Sequence, residues 1–252
     1  MNEQQGESSI LFRHGDKGKW QINEQELRER LPTDQADLVL LVLSEQFTDW
    51  KELPLQFEGV QRSIALADKL FSQMPDRALV LITDSGKDRA QLTRALVAER
   101  LFQLETQSKY TDHQKRIDML QLTAKEVTDK LADSHPDTWT PYGEMIEKEG
   151  ISESEAIARW INDMNKEDMG ISVDKLPEES SRRYRELMSS VRREIQSDQP
   201  LILVGVGHSG SLAQIRYEEQ GRKITSEETP KFCEMFKFDK TGKLLDIEEA
   251  EV

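Results

Sequence analysis

Two histidines of this chain stand where an apolar segment ends, and both are accompanied by glycine. Near the N-terminus, the apolar run 10–12 is followed by Arg13, His14 and Gly15. Much later, His208 follows a second apolar run and is also flanked by glycine. An imidazole held at a strand end can attack a phosphorus atom or hold an anion, and a neighbouring guanidinium can bind the anion's oxygens. The alternative for the first motif is a surface turn that contains polar residues, since short motifs also occur by chance.

A third segment has the same design. The apolar run 78–83 predicts a buried strand, and the turn after it leads into a helix with Arg89 in its first turn. The N-terminus of a helix offers free N–H groups and a positive dipole end to a phosphoryl group, and arginine adds a planar, bidentate donor. A surface arginine is the alternative. In open α/β sheets ligands bind at the carboxyl ends of strands, which favours a functional role for all three segments.

Together the three segments resemble the motifs of the histidine phosphatase superfamily, also called the phosphoglycerate mutase-like family. Its pattern is an Arg-His-Gly after the first strand, a Ser-Pro-x-x-Arg-Ala-x-x-Thr turn, and a late strand that ends in Ser-His-Gly-Gly. Order and spacing match over most of the chain. The resemblance implies the α/β class: a three-layer αβα sandwich with a mostly parallel central sheet and a helical or loop lid. It also implies a single domain over 1–252, with a variable lid at about 105–150.

The resemblance implies a role for each motif residue. His14 would attack phosphorus and form a phosphohistidine, while Arg13, Arg89 and His208 would bind the three equatorial oxygens. Nearby arginines would keep the His14 imidazole neutral and nucleophilic, and water would hydrolyse the intermediate. The protein would then be a phosphatase for a phosphomonoester on a small molecule or a protein side chain, needing no cofactor or metal. The alternative is a phosphate-pocket protein of the same fold that binds without turnover.

The chain departs from the family pattern at three places. Gly86 stands where the family has its turn proline, and the late motif has Gly-His-Ser-Gly over 207–210. The glutamate that usually protonates the leaving group is replaced by Leu122. Four other carboxylates are candidates for that proton donor: Glu105, Asp112, Glu126 and Glu144. Mutase activity is not expected, because the long tryptophan- and asparagine-containing run of cofactor-dependent mutases does not follow the first motif.

Composition narrows the classes of partner. With 34 basic and 48 acidic residues the net charge is −14, which argues against nucleic acid and anionic membranes as partners. A phosphate substrate stays compatible with this charge, because exposed charges more than about 8–10 Å apart are largely screened. The single cysteine, Cys233, is expected to be structural and fits a reducing cytosol. Without an apolar leader or a run of about 20 apolar residues, a cytoplasmic protein is expected; the oligomeric state is left open.

Periodicity predicts the elements that position these motifs. Helices are expected at 23–31 (with a capping box from Asn23 to Glu26), 60–72, 87–104, 123–132, 152–164 and 178–196. Strands are expected at 10–12, 37–43, 78–83 and 200–206, with a C-terminal hairpin of 232–238 and 243–247. The segments 16–20 and 135–143 are expected to be loops. In the second of these, Trp139 and Tyr142 could contact substrate or pack on each other.

Overall fold

The computed structural model describes residues 8–13, 15, 17–21, 23–49, 52–110, 115–119, 140–163, 178–179, 181–182, 185–186, 189, 195, 198–239 and 241–249. The helices are α1 (Glu24–Arg30), α2 (Thr33–Gln46), α3 (Phe57–Gln73), α4 (Asp88–Ser108), α5 (Thr140–Glu149), α6 (Glu153–Asp163) and α7 (Ser209–Gln220). The strands are β1 (Ser8–Arg13), β2 (Lys17–Gln21), β3 (Glu52–Leu55), β4 (Arg77–Asp84), β5 (Arg116–Met119), β6 (Leu201–Gly207), β7 (Met235–Phe238) and β8 (Leu244–Glu248). His14, Asp112, Glu126, Trp139 and the helix expected at 123–132 lie outside the described residues.

A six-stranded sheet in the order β5-β4-β6-β1-β7-β8 forms the centre of the fold. The four strands from β5 to β1 are parallel, whereas β7 and β8 add an antiparallel edge. The three motifs follow strands β4, β6 and β1. These strands are therefore neighbours at the centre of the sheet. The predicted C-terminal hairpin is the pair of β7 and β8. A mostly parallel central sheet is confirmed.

Helices cover both faces of this sheet, so the expected three-layer architecture is confirmed. One face packs against α3 and α4 through a buried cluster that includes Ile10, Phe12, Leu66, Leu70, Val80, Val97, Val204 and Val206. The other face packs against α7 through Leu11, Leu81, Leu201, Leu203, Leu212, Ile215, Phe236 and Phe238. Consecutive residues of β1 and β6 point to opposite faces, which explains why these strands are continuous apolar runs. Within the described ranges, none of the helices combines the length and apolar composition needed to cross a membrane.

The register of the central strands brings their carboxyl ends together. Arg13, the last residue of β1, lies opposite Gly207 at the end of β6. One residue earlier on β6, Val206 lies opposite Asp84, the last residue of β4. Neighbouring strands are about 5 Å apart, so the first residues after these three strands emerge side by side at one edge of the sheet.

The segment between the first strand and α3 differs from expectation. The predicted strand at 37–43 is wrong, because these residues belong to helix α2. Leu38, Val39, Val42 and Leu43 are buried, which is a helical spacing, and an apolar run of this length cannot be assigned to a strand or a helix by periodicity alone. The loop predicted at 16–20 is also wrong over 17–20, which are part of β2 and pair with β3 in a separate two-stranded sheet.

The middle of the chain also contributes more regular structure than expected. Within the segment predicted as a lid at about 105–150, α4 continues to Ser108 and β5 pairs with β4 in the central sheet, while the lid itself stays a prediction. The loop predicted at 135–143 is wrong from residue 140 onwards, where α5 begins with Pro141 in its first turn. Proline is well tolerated there, because the first N–H groups of a helix have no intrahelical acceptor. Of the helix predicted at 178–196, the described residues from 178 to 189 are helical, whereas Ile195 is not, so the predicted end at 196 is too late.

The antiparallel edge strand β8 is held to the fold by a carboxylate whose ionisation should affect acid stability. Burial raises the pKa of Glu248, but hydrogen bonds from Lys237, Gln73 and Lys69 outweigh this and lower it to about 2. The ionised side chain therefore stabilises the folded state above the ordinary glutamate pKa, and this stabilisation is lost as the pH falls towards 2. Since the side chain is about one quarter exposed, we expect a contribution of about 2 kcal/mol at neutral pH.

Glu248→Gln should lower the free energy of unfolding by about this amount at pH 7, and the difference from wild type should shrink steadily between pH 4.5 and pH 2. Urea unfolding of both proteins at several pH values measures this difference in the free energy of unfolding. Glu249→Gln is the matched control, because Glu249 is half exposed and pairs with Lys231 alone among the described ion pairs. A pH-independent difference between Glu248→Gln and wild type would contradict the assignment.

Candidate active site

Ser85, Arg89 and His208 meet where β4 and β6 end. The Nε2 atom of His208 lies 2.5 Å from Ser85 Oγ, and its Nδ1 atom lies 3.4 Å from Arg89 Nη2. Ser85 and His208 are almost completely buried, whereas Arg89 is half-buried. The two residues expected to hold phosphate oxygens from separate motifs, Arg89 and His208, are thus brought into direct contact.

Two helix N-termini open at the same edge of the sheet. His208 is the N-cap residue of α7, and α4 begins three residues after Ser85, with Arg89 as its second residue. The first N–H groups of both helices lack intrahelical acceptors, and the dipole adds positive potential there. Side chain and backbone at this edge therefore both favour an anion.

The turn between β4 and α4 explains why the expected proline is replaced by glycine. Gly86 has φ = 75°, in the left-handed region, and its N–H donates to Asp84 Oδ1 at 2.6 Å. Proline has a φ near −65° and no N–H, so it can adopt neither feature. The other carboxylate oxygen of Asp84 accepts from Arg94 Nε at 2.7 Å, which ties the turn to α4. The departure from the family pattern is thus a different but well-anchored turn.

Arg13 is buried beside the loop that precedes β7. Its guanidinium donates to Pro230 O at 2.7 Å and to Glu153 Oε1 at 3.1 Å, and its Cζ atom lies 3.8 Å from the centre of the Phe232 ring. Its carbonyl accepts from Cys233 N, and the Cys233 side chain is fully buried in the core. Arg13 is therefore fixed at the end of β1 by helix α6 and by the loop that precedes β7.

Gly15 anchors the loop after β1 between two helices. Its N–H donates to Thr93 Oγ1 at 3.1 Å, and the Thr93 hydroxyl in turn donates to Arg89 O at 2.8 Å. On the other side, a Cβ at position 15 would lie 2.6 Å from Gly59 O, a backbone atom of α3. The loop that carries the first motif is thus held directly against the first turn of the helix that carries Arg89.

Gly15→Ala is expected to lower kcat/KM about 100-fold, because the clash with the α3 backbone can be relieved only by moving the loop, and misplacement of about 1 Å has such effects. Gly18→Ala is the matched control, since the atoms nearest to its Cβ belong to the exposed side chain of Gln56, which can rotate. Steady-state kinetics with para-nitrophenyl phosphate and thermal melting of both variants measure it. Unchanged kinetics for Gly15→Ala would show that the close approach to Gly59 is irrelevant to the site.

Among the candidate proton donors, Glu105 is ruled out by its position. It lies on α4 like Arg89, but about 24 Å further along the helix axis at 1.5 Å per residue. It is buried there and pairs with Lys109. The side chain of Glu144 lies outside the described residues, as do Asp112 and Glu126. The expectation of Glu105 is therefore wrong, and the other three stay predictions.

Sequence reasoning missed three partners of the motif residues. Ser85 and Thr93 belong to the turn motif, but nothing in the sequence says that one contacts His208 and the other Gly15. Glu153, the first residue of α6, contacts Arg13 across 140 positions of sequence. The only local signal for it is the start of a helix at this point.

The start of α4 also borders a cavity. A cavity of about 680 Å³ lies between the β2–β3 sheet and the start of α4; Lys19, Gln21, Asp49, Glu52, Leu53, Pro54 and Asp88 line it. It therefore borders the first turn of α4 without being lined by Arg13, Arg89 or His208. In the part of the chain that the structure describes, no group of three or more histidine, cysteine, aspartate or glutamate side chains could hold a metal ion.

The fold resembles several solved structures over almost their whole length. One is YhfR from Bacillus stearothermophilus (TM-score 0.47, 14% identity, 97% of both chains covered). Another is a variant phosphoserine phosphatase from Entamoeba histolytica in complex with phosphoserine (TM-score 0.40, 12% identity, 97% of this chain and 98% of that chain). A third is a phosphoglycerate mutase from Bacillus anthracis (TM-score 0.40, 15% identity, 97% of this chain and 93% of that chain).

No protein-family model and no characterised protein matches the sequence. With identities of 12–15%, the likeness to these structures is one of fold alone.

Proposed function

We propose that the protein is a phosphatase that hydrolyses a phosphomonoester, of a small molecule or a phosphorylated protein side chain, through a phosphohistidine intermediate on His14. The observation that carries the proposal is the contact of Arg89 with His208 at the edge of the sheet where β1 also ends. A cation, an imidazole and two helix N-termini at one edge suit an oxyanion such as a phosphoryl group.

In the first chemical step, a ring nitrogen of His14 attacks phosphorus while the bond from phosphorus to the leaving oxygen breaks. The leaving oxygen keeps the electron pair and takes up a proton from water, or from one of the carboxylic acids predicted at Asp112, Glu126 and Glu144. Arg89 and the N–H groups at the start of α4 and α7 are proposed to hold the phosphoryl oxygens, where negative charge spreads in the transition state. His208 is proposed to join them once its ring is protonated, because only an N–H can donate to a phosphoryl oxygen. Arg13 adds a positive charge at the end of β1, with Glu153 as its partner.

In the second step, water attacks phosphorus and the phosphorus–nitrogen bond breaks. The electron pair returns to the ring nitrogen, and the water proton leaves with inorganic phosphate or passes to solvent. The same donors serve this step, because the charge distribution on the phosphoryl group is the same. Hydrolysis is favoured over mutase chemistry, since the run that follows the first motif in cofactor-dependent mutases is absent from the sequence.

A second candidate is a phosphate-binding protein without turnover. Two observations favour it: Glu153 is held in an ion pair with Arg13, and Glu105 is too far away to protonate a leaving group. A phosphatase without a strong acid would need a substrate with a good leaving group, such as an aryl phosphate, an acyl phosphate or a phosphohistidine.

Hydrolysis of para-nitrophenyl phosphate compared with glycerol phosphate tests the proposal. We expect turnover of the aryl ester at a rate well above that of the alkyl ester, with inorganic phosphate as a competitive inhibitor. Phosphate binding by calorimetry without turnover of any ester would favour the second candidate. The proposal also predicts that phosphorus NMR of the protein with 3-phosphoglycerate detects no 2-phosphoglycerate, and its formation would indicate a mutase.

A further inference from the structure

Ser85 and His208 form a buried hydrogen bond, and the contacts around it determine which of the two side chains is the donor. A guanidinium can only donate hydrogen bonds, so the contact from Arg89 Nη2 makes Nδ1 of His208 the acceptor. In a neutral imidazole the other ring nitrogen then carries the proton. The short contact at 2.5 Å is therefore a hydrogen bond from His208 Nε2–H to Ser85 Oγ.

This polarity argues against a different function for the pair. A serine and a histidine at hydrogen-bond distance are also the parts of a nucleophilic dyad, and Ser85 stands on a strand-to-helix turn as nucleophilic serines often do. A base must present an unprotonated nitrogen to the serine, whereas here that nitrogen faces Arg89. Ser85 is also only 1% exposed, so its hydroxyl is not presented to a substrate.

We propose that Ser85 is a positioning residue: by accepting the Nε2–H bond, it fixes the tautomer and ring orientation of His208 so that, in the free protein, Nδ1 accepts from Arg89 at the edge where the phosphoryl group would bind. The part that concerns the phosphoryl group rests on the proposed function. The tautomer itself does not depend on it.

The turn around Ser85 is built to hold the hydroxyl in place. The neighbouring Asp84 carboxylate accepts from Gly86 N and Arg94 Nε, both at normal hydrogen-bond distance, and Gln91 donates to Gly86 O. The residues on either side of Ser85 are thus fixed by hydrogen bonds to α4 or within the turn. An acceptor on such a rigid support can orient an imidazole, which a mobile side chain cannot do.

The imidazole nitrogens of His208 report the tautomer directly in ¹⁵N NMR spectra of the full-length protein, with His208→Gln to assign its signals. In the wild type we expect a neutral ring protonated at Nε2. In Ser85→Ala we expect a mixture of tautomers and kcat/KM lowered by about 10- to 100-fold, the usual effect of losing a residue that orients a functional side chain. Phosphate should also inhibit this variant more weakly.

Ser108→Ala is the matched control, because it removes another buried serine hydroxyl at the far end of α4. It should leave the His208 spectrum and kinetics unchanged.

A His208 spectrum in Ser85→Ala identical to wild type would overturn the proposal, whatever the activity. If Ser85→Ala does not fold, the wild-type spectrum alone tests the proposal. A His208 ring protonated only at Nδ1 would contradict the inferred hydrogen bond from Nε2–H to Ser85. A changed tautomer in a protein that hydrolyses no ester would uphold the positioning role and reject the phosphatase.

Discussion

Replacing His14 with alanine should abolish hydrolysis of para-nitrophenyl phosphate, with kcat/KM lowered by on the order of 10⁴-fold or more. Loss of the nucleophile removes the covalent route, and the remaining cations can only bind the ester. His14 follows directly after Arg13, which the register places opposite the residue before His208. Inorganic phosphate should still inhibit or bind to the variant within about tenfold of wild type, because Arg89, His208 and the helix N-termini stay in place.

His113→Ala is the control for this variant, since it removes a histidine that belongs to none of the three motifs. It should keep full activity. Initial rates over a range of substrate concentrations separate kcat from KM, and circular dichroism shows whether His14→Ala remains folded. Retention of more than a few per cent of wild-type activity by folded His14→Ala would exclude a phosphohistidine route.

Replacing Arg89 with alanine should cause the second large loss of kcat/KM. We expect kcat/KM to fall by about 10²- to 10³-fold, as when one donor to a transition-state oxyanion is removed. Inhibition by phosphate should weaken as well, because a hydrogen bond to a charged group is lost in the ground state also. Arg89→Lys should recover only part of the activity, since an ammonium group keeps the charge but not the planar pair of donors.

Lys87→Ala provides the comparison, because it removes an exposed positive charge two residues away from Arg89. If the effect of Arg89 were only long-range electrostatics, both variants would lose similar activity and both losses would shrink at high salt. A loss confined to Arg89→Ala and independent of salt supports direct contact with the phosphoryl group. Equal losses in the two variants would contradict it.

The sequence was sufficient to predict the central strands and two of the side chains that they position, Arg89 and His208. The strands β1, β4 and β6 are buried on both faces, which leaves apolar runs bounded by polar or glycine residues. The residues that follow parallel strands lie at the same edge of the sheet. It was therefore predictable that Arg89 and His208 lie close together. The geometry of their contact was not, since the register of β4 with β6 depends on contacts between segments more than 100 residues apart.

Other elements could not be predicted because tertiary packing decides them. Helix α2 buries two pairs of adjacent apolar residues against other helices, which gives the same apolar run as a strand. The short strands β2, β3 and β5 have four or five residues each and form only because a partner strand lies beside them. The partners of Arg13 are equally non-local: Glu153 comes from a helix in the variable middle of the chain, and Pro230 from the loop before β7.

The turn after β4 shows how a departure from a motif can preserve its geometry. A missing proline at Gly86 suggested a weaker match, but the left-handed φ and the bond to Asp84 define the turn just as firmly. This turn places the side chain of Ser85 in contact with His208. A comparison by residue type alone counts the substitution as a loss, whereas the hydrogen bonds of Asp84 show that the turn of this chain is well anchored.

The most direct test of the central claim is to trap the intermediate. The protein is mixed briefly with para-nitrophenyl phosphate, quenched in alkali, in which phosphohistidine is stable, and digested for mass spectrometry. We expect one phosphoryl group, on the peptide that contains His14, in the wild type and none in His14→Ala. Turnover by the wild type with no phosphate on His14, or with phosphate on another residue that is required for activity, would contradict the account.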